Sequence, residues 1–261
     1  MDRLRREIDS FRGTWKGRPL WEGGYYEGDP LDPVGRSSYG AGGYISVLHA
    51  VYLTCVRPYV NADTLALELG PGRGAWTRAL LPAREVWAVD VLSADHNGFW
   101  DYVGRHDHVR YVEATDFSLN GLPADHFSYV FSFGTLCHVS FEGISEYARN
   151  LKAKLRPGAN CFWMVADYEK VTRSAARANE LLIGGRALPR GRRGRLAGRL
   201  AGETLPWRPL DAVEDDKPAT GRWYHAGAAR TCEMLASIGY HVVEQDVGAV
   251  HRDPIIHFRW H

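Results

Sequence analysis

The chain has 261 residues, of which 45% are hydrophobic and 24% charged, and its formal net charge is +1. This length allows one large α/β domain or two small ones. The near-neutral charge argues against a dedicated nucleic-acid or membrane binder. The four cysteines contain no Cys-x-x-Cys pair, which argues against a zinc site or a disulfide framework. Because no secretory signal or membrane-length apolar run is visible, the expected location is the cytoplasm.

The first 60 residues predict an N-terminal arm followed by a helix. A short charged helix candidate precedes a stretch rich in Gly, Pro and Asp that also contains Trp21, Tyr25 and Tyr26. Such a stretch is either a surface loop with aromatic anchors or an arm over a site. Apolar residues at helical spacing then predict a helix over 44–60.

Short apolar segments alternate with helical ones over the rest of the chain. Strands are predicted at 64–69, 85–91, 109–114, 127–134, 160–167, 241–247 and 255–260, and helices at 75–81, 97–106, 143–155 and up to Gly239. This alternation predicts an α/β fold with a doubly wound, mostly parallel seven-stranded sheet and helices on both faces. The last two strands are expected to form an antiparallel hairpin at one edge.

A segment at 170–222 interrupts this order. Its middle, at 184–200, carries six arginines among glycines, and an acidic stretch follows. It is either a solvated insertion or a cap that closes over an anionic or extended substrate. The predicted organisation is a single domain in four parts: an N-terminal arm and helix (1–60), a ligand-binding core (61–169), the basic insertion (170–222), and a closing helix with a hairpin (223–261).

A glycine-rich loop follows the first predicted strand in the sequence "ALELGPGRGAWTRALL". It contains Glu68, Gly70, Gly72 and Gly74. In a doubly wound sheet, ligands bind beyond the carboxyl ends of the strands, and glycines there allow a ligand close to the main chain. The spacing differs from the G-x-G-x-x-G phosphate fingerprint and no Walker lysine is present, so a pyrophosphate is not the obvious ligand.

Acidic residues end the next two strands. Asp90 is placed to accept hydrogen bonds from two ribose hydroxyls. Asp116 and Phe117 follow the third strand. A carboxylate there can accept a hydrogen bond from the exocyclic amine of adenine, and an aromatic ring can pack near the base. These residues favour a nucleoside without phosphates as the ligand.

With these residues the chain resembles the class I S-adenosylmethionine-dependent methyltransferases, over about residues 60–170 and more loosely over 225–261. The segments "FSYVFSFGTLCHV" and "LKAKLRPGA" match as well. The resemblance implies a Rossmann-like methyltransferase fold in which Glu68 orders the glycine loop, Asp90 binds ribose and Asp116 binds adenine. The cofactor-binding residues that it implies are Glu68, Gly70, Gly72, Gly74, Asp90, Asp116, Phe117 and Gly134.

The acceptor-side candidates are His138 and Asp167. Methyl transfer to a hydroxyl benefits from a general base, and His138 follows the fourth strand, although a histidine that only packs near the cofactor is the alternative. Asp167 could orient the base, bind a substrate hydroxyl or help to hold a metal. Cys137 lacks the Pro-Cys context of cytosine-C5 enzymes. The Ser-Phe-Gly end of the fourth strand also differs from the Asn/Asp-Pro-Pro-Tyr pattern of enzymes that methylate nucleic-acid amino groups.

Three segments are similar to bacterial O-methyltransferases that act on sugar hydroxyls, including those of mycobacterial polymethylated polysaccharides: "YVFSFGTLCHVSFEGISEYARNL", "FWMVADYEK" and "HRDPIIHF". This resemblance implies polysaccharide or other polar small-molecule substrates, and it leaves magnesium open, with Asp167 as the best ligand candidate. The aromatic residues expected to bind the substrate are Tyr25, Tyr26, Trp223 and Tyr224. Two alternatives stay open: a nucleic-acid methyltransferase that uses the arginines, and a noncatalytic S-adenosylmethionine-binding protein. A homodimer is also open.

Overall fold

The computed structural model describes residues 3–16, 28–33, 46–170, 173, 224–250 and 252–261. The strands are β1 (Leu65–Leu69), β2 (Glu85–Asp90), β3 (Val109–Glu113), β4 (Phe127–Ser132), β5 (Leu155–Met164), β6 (His241–Glu244) and β7 (Ile255–Arg259). The α-helices are α1 (Arg3–Trp15), α2 (Val47–Val51), α3 (Ala75–Leu80), α4 (Phe99–Val103), α5 (Phe141–Leu151) and α6 (Ala228–Ile238). In the described part of the chain, no helix has both the length and the apolar character that crossing a membrane requires.

The seven strands form one sheet in the order β3-β2-β1-β4-β5-β7-β6. Strands β1 to β5 are parallel, and β7 is antiparallel to both β5 and β6. The predicted doubly wound, mostly parallel sheet is therefore confirmed. The direction of winding reverses between β1 and β4, which is the point where ligands bind in such sheets.

Two apolar layers cover the two faces of the sheet. On one face, Leu67 and Leu69 of β1 pack in a cluster with residues of α5 and α6. On the other face, Ala66 of β1 packs in a cluster with residues of α2, α3 and α4. Because both faces of a parallel sheet are buried, its strands are apolar at nearly every position, and all five residues of β1 are buried.

Some element boundaries differ from the predicted ones. The predicted helix at 44–60 contains α2 and then a π-helical turn at Tyr52–Val56, where the Cys55 carbonyl accepts a hydrogen bond from the Tyr129 hydroxyl over 2.8 Å. Strand β5 begins earlier than the predicted 160–167 because Leu155 already pairs with β4, through a shift in register. Helix α4 is shorter than predicted because left-handed Gly98 precedes it and Gly104, also at positive φ, ends it.

Candidate functional site

The glycine loop connects β1 to α3 at the carboxyl edge of the sheet. Gly70 donates its N–H to the Val89 carbonyl over 2.7 Å, which fixes the start of the loop against β2. Gly74 donates to the Pro71 carbonyl over 2.8 Å and precedes the first residue of α3. Gly70, Gly72 and Gly74 have φ values of +72°, +53° and +100°, a region that L-residues with side chains rarely adopt. The tight turn therefore requires glycine at all three positions.

Two of these glycines also allow close packing against other elements. A Cβ atom at Gly70 would overlap the side chain of Thr135, which lies in the loop after β4. A Cβ atom at Gly74 would overlap Val103 of α4. Thr135 in turn donates its hydroxyl to the Gly70 carbonyl over 2.9 Å. The glycine loop and the loop after β4 are therefore in direct contact.

Gly72 and Gly134 have open space beside them. Both have positive φ, and a Cβ atom at either position would meet no protein atom within 4 Å. Main chain that is exposed in this way at the winding reversal of the sheet can be approached closely by a ligand. Their geometry fits the predicted cofactor-binding role.

Glu68 links the strand before the glycine loop to the helix after it. Its side chain is buried, and its Oε2 accepts a hydrogen bond from the Thr77 hydroxyl of α3 over 2.5 Å. Burial, opposed by the Thr77 hydrogen bond and aided by the nearby Asp90 charge, raises the pKa of Glu68 to about 8. This arrangement fits the predicted role of Glu68 in ordering the loop.

Asp90 ends β2 and binds the glycine loop directly. Its Oδ2 accepts the Gly72 N–H over 3.1 Å, and its Oδ1 accepts the Leu92 N–H over 2.9 Å. Burial raises the pKa of Asp90, while these main-chain donors oppose the rise. A carboxylate oxygen can accept more than one hydrogen bond, so Asp90 can hold the loop and still accept from ribose hydroxyls.

Asp116 and Phe117 differ in exposure. Asp116 is exposed. Its Oδ1 accepts two hydrogen bonds from Ser118, one from the main-chain N–H over 2.8 Å and one from the side-chain hydroxyl over 2.5 Å. These hydrogen bonds lower the pKa of Asp116. Phe117 is only 3% exposed, and its ring packs edge-on against Tyr147 of α5 with 4.7 Å between centroids. Phe117 is thus mainly a core residue beneath the predicted adenine site.

His138 lies in a short 3₁₀ turn, Leu136–His138, that follows β4. Its main-chain N–H donates to the Thr135 carbonyl over 2.9 Å, and the residue is partly exposed. Tyr224 donates its N–H to the Cys137 carbonyl over 2.8 Å. Two predicted acceptor-side residues, His138 and Tyr224, are therefore neighbours. The other predicted aromatic residues, Tyr25, Tyr26 and Trp223, lie outside the described residues, as does almost all of the basic insertion.

Asp167 binds the main chain of two helical segments. Its Oδ1 accepts the N–H groups of Glu169 and Lys170 over 2.8 and 3.1 Å, and its Oδ2 accepts the N–H of Ala228 over 3.0 Å. Ala228 is the first residue of α6. Burial by itself would raise the pKa of Asp167, but the three N–H donors hold it below its usual value. Asp167 therefore has a capping role that the sequence did not indicate.

A second histidine, His225, was missed by the sequence analysis. Its ring stacks on that of Tyr168 with 4.8 Å between centroids, and its Nδ1 accepts the Tyr168 N–H over 3.1 Å. Since Nδ1 accepts, neutral His225 carries its proton on Nε2 and is a donor there. Ala226 and Gly227 donate to the Ala166 carbonyl, so this segment lies beside the end of β5. The signal in the sequence was a histidine just before a helix, which is too common to be informative.

The segment before β7 also reaches this edge. Pro254 accepts the Val165 N–H over 3.1 Å, and the fully buried Asp253 pairs with Arg252 over 2.7 Å. Nearby, Lys170 pairs with Asp246 over 2.5 Å. Over the described ranges, no three His, Cys, Asp or Glu side chains are grouped closely enough to hold a metal ion.

A family model described as a methyltransferase domain matches residues 57–200, more than half of the chain. The chain belongs to this methyltransferase family. The match includes the glycine loop, Asp90, Asp116, His138 and Asp167. Membership implies S-adenosylmethionine as the methyl donor, in agreement with the class predicted from the sequence.

Two solved structures with TM-scores above 0.5 agree with this methyltransferase fold, and a third that is less similar is reported beside them. An S-adenosylmethionine-dependent methyltransferase from Mesorhizobium loti has a TM-score of 0.54 at 16% identity, covering 82% of this chain and 98% of the other. A Listeria monocytogenes protein assigned to the same class has a TM-score of 0.52 at 13% identity, with the same coverage of 82% and 98%. The N-methyltransferase NodS from Bradyrhizobium japonicum WM9 has a TM-score of 0.46 at 16% identity, covering 82% and 91%. No protein of curated function matches the sequence.

Proposed function

We propose that this methyltransferase transfers a methyl group to a hydroxyl of a sugar, an oligosaccharide or another polar small molecule in the cytoplasm, with His138 as the general base. The observation that carries the proposal is the contact between the two loops at the winding reversal. Thr135 donates to the Gly70 carbonyl over 2.9 Å, and His138 lies three residues further along the same loop. The base candidate is thereby linked to the loop assigned to the methionine part of the cofactor.

The cofactor side would be held by the residues that surround the open space at Gly72 and Gly134. Asp90 would accept hydrogen bonds from the ribose hydroxyls, and the exposed Asp116 would accept one from the adenine amine. Glu68, at the end of β1, accepts a hydrogen bond from Thr77 of α3 and so fixes the two ends of the glycine loop relative to each other. S-adenosylmethionine itself supplies an activated methyl group on a sulfonium, which needs only to be held in line with the acceptor oxygen.

The reaction then requires a place for one proton. As the acceptor oxygen forms its bond to the methyl carbon and the bond from that carbon to sulfur breaks, the hydroxyl proton would pass to His138. His225, a donor at Nε2 in its neutral form, could bind a second oxygen of a polyhydroxyl acceptor. The preference for sugars rests on the resemblance of three sequence segments, and the stacked rings of Tyr168 and His225 are compatible with it.

The base assignment is tested with His138→Ala, using His241→Ala as the control because His241 is exposed on the edge strand β6. We expect His138→Ala to lower turnover by roughly 10²- to 10⁴-fold while cofactor affinity measured by calorimetry is kept. Turnover within a few-fold of the wild type would show that His138 is not the base.

The acceptor class is tested with methyl-labelled cofactor and a panel of sugars, oligosaccharides, amines and RNA, each with and without magnesium. Labelled sugars or oligosaccharides that resist mild base support the proposal. Labelled amines or RNA would replace it with another acceptor class. Cofactor binding without transfer to any acceptor, including those in a cell extract, would favour a noncatalytic binding protein.

A further inference from the structure

Helix α1 contacts the segments that follow β2, β3 and β4 at the carboxyl edge of the sheet. Its sequence places Leu4 and Ile8 one turn apart on the same side. Ile8 is 2% exposed and belongs to the same apolar cluster as Leu69 of β1 and Val89 of β2, and Leu4 packs against that cluster. The helix is therefore docked on the core by apolar contacts at its first two turns.

Arg12, in the last turn of α1, joins the two loops that carry the nucleoside acids. Its Nε donates to the Val91 carbonyl over 2.7 Å, and its Nη2 donates to the Ala114 carbonyl over 2.8 Å. Nη2 also pairs with Glu113 over 3.0 Å. Val91 directly follows Asp90, and Ala114 lies two residues before Asp116. One guanidinium thus spans the loops after β2 and β3.

We propose that Arg12 is a positioning residue for the cofactor. Pairing of β2 with β3 ends where the Ala114 N–H donates to the Asp90 carbonyl over 2.7 Å, and Arg12 holds the main chain beyond that point, next to Asp90 and Asp116, before the nucleoside binds. The proposal rests on the roles assigned to these two acids under the proposed function. A planar guanidinium presents several donors in a fixed geometry, so it can hold two carbonyls at a constant spacing, which a lysine cannot do. Loops that are ordered in advance lose less conformational entropy on binding, and the affinity rises accordingly.

The attachment of α1 does not depend on Arg12 alone. Glu7 accepts the Ser140 N–H at Oε1 and the Ser140 hydroxyl at Oε2, each over 2.6 Å. Together with the buried Ile8, this contact holds the helix at the opposite side of the site. Loss of the Arg12 side chain should therefore loosen the main chain that follows Val91 and Ala114 without detaching α1, while the Ala114 N–H still binds the Asp90 carbonyl.

The test is the affinity of Arg12→Ala and Arg12→Lys for S-adenosylhomocysteine and for methylthioadenosine, which lacks the amino-acid part. We expect Arg12→Ala to weaken binding of both ligands by roughly tenfold and Arg12→Lys to weaken it less. Arg149→Ala is the matched control, since Arg149 is an exposed arginine paired with Glu146 on α5. We expect its affinities to equal those of the wild type.

Two results would overturn the proposal. One is a lower melting temperature of Arg12→Ala with unchanged affinity for both ligands at a temperature where the protein is folded. The other is weaker binding of S-adenosylhomocysteine with unchanged binding of methylthioadenosine. If Arg12→Ala fails to fold, Glu113→Ala replaces it, because it removes one of the three partners of Arg12. We expect Glu113→Ala to lower the affinity for both ligands by a smaller factor. Unchanged affinities of Glu113→Ala would then overturn the proposal. Asp90→Ala separates the two proposals: if it leaves affinity unchanged, the assigned ribose site is wrong, whereas if only Arg12→Ala has no effect, only this inference fails.

Discussion

The loops after β1 and β2 bind each other directly across adjacent strands, with Arg12 of α1 as a further contact, whereas the surface beyond β4 and β5 is assembled from segments that are distant in the sequence. On the first side, Gly70 binds Val89 and Asp90 binds Gly72. These contacts connect adjacent strands of one continuous unit. The half of the edge proposed to bind the cofactor is therefore specified mainly by β1, β2 and the loops that follow them, and Arg12 of α1 adds the one distant link proposed above.

The acceptor half has a different construction. The N–H of Tyr224 donates to the Cys137 carbonyl, and the N–H of Ala226 donates to the Ala166 carbonyl. The Pro254 carbonyl accepts the N–H of Val165. Each contact joins the end of a sheet strand to a chain segment from beyond the insertion. Changes in these later segments can alter the acceptor side and leave the nucleoside side intact, which is how one fold serves many substrates.

The largest expected effect comes from the contact between the two halves, at Gly70. An alanine there would have φ near +72° and its Cβ would overlap Thr135, so the glycine loop and the loop after β4 would have to separate. We expect Gly70→Ala to lower the free energy of unfolding by about 3 kcal/mol and to abolish measurable cofactor binding. Denaturant unfolding and calorimetry measure the two quantities.

Gly158→Ala is the matched control for this prediction. Gly158 also has positive φ, at +81°, but a Cβ atom there would meet nothing within 4 Å. The control should show only the backbone cost, about 1 kcal/mol, with normal cofactor affinity. Equal effects of the two substitutions would mean that the contact with Thr135 is unimportant.

The next largest effect is expected at Asp167, in the acceptor half. Asp167→Ala removes acceptors from the first turns of two helical segments, each cap being worth about 1 kcal/mol, so we expect a loss of about 2 kcal/mol in unfolding free energy. The lowered pKa of Asp167 sets the pH dependence: its stabilisation is present above the unfolded pKa of about 4 and is lost as the pH falls through the lower folded value. The difference in unfolding free energy between wild type and variant should be smaller at pH 3 than at pH 7.

Cofactor affinity of Asp167→Ala should stay normal, because the residue lies in the other half of the edge. A variant as stable as the wild type but with reduced turnover would instead favour the predicted direct role in catalysis. Asp167→Asn, which keeps one acceptor oxygen, should lie between wild type and Asp167→Ala in stability.

The difference between the halves also explains what the sequence could predict. The strand alternation and the glycine loop are local patterns, so the sheet and the positions of Glu68, Gly70 and Asp90 followed from the sequence. The stacking of His225 on Tyr168 and the link from Arg12 to Val91 join residues that are far apart in the chain, and a single sequence contains no signal for such pairs. Phe117 was expected to pack near the base, and its buried ring packs edge-on against Tyr147 of α5, so its contact with the base stays a prediction.

A smaller effect, confined to the cofactor half, is expected from the pH. The pKa of Glu68, raised to about 8, means that this side chain is protonated at neutral pH in the ligand-free protein. Its contribution to stability is complete below the unfolded pKa of about 4.5 and is lost as the pH rises through 8. The cofactor carries a sulfonium and an ammonium group and should favour the carboxylate, so binding should release a proton, and affinity should rise by at most about tenfold per pH unit up to pH 8.

Calorimetry in two buffers with different ionisation enthalpies measures the released proton. Glu68→Gln keeps the hydrogen bond to Thr77 and removes the titration, so its binding enthalpy should be independent of the buffer. A wild type without buffer dependence between pH 6 and pH 8 would mean that Glu68 does not change its ionisation when the cofactor binds.

The smallest effect is expected from the contact that α1 makes with the acceptor half. Glu7 binds both donors of Ser140, which caps α5 and lies two residues after His138. Glu7→Gln keeps one acceptor oxygen and loses the charge, so the turn that carries His138 should be held less firmly. We expect turnover to fall a few-fold with unchanged cofactor affinity, since Arg12 still links the loops after β2 and β3. Asp9→Asn, an exposed position on the same helix, is the control for the change in charge. A loss of cofactor affinity in Glu7→Gln without a change in turnover would contradict this prediction. It would mean that the contact of Glu7 with Ser140 stabilises the nucleoside site and not the turn that carries His138.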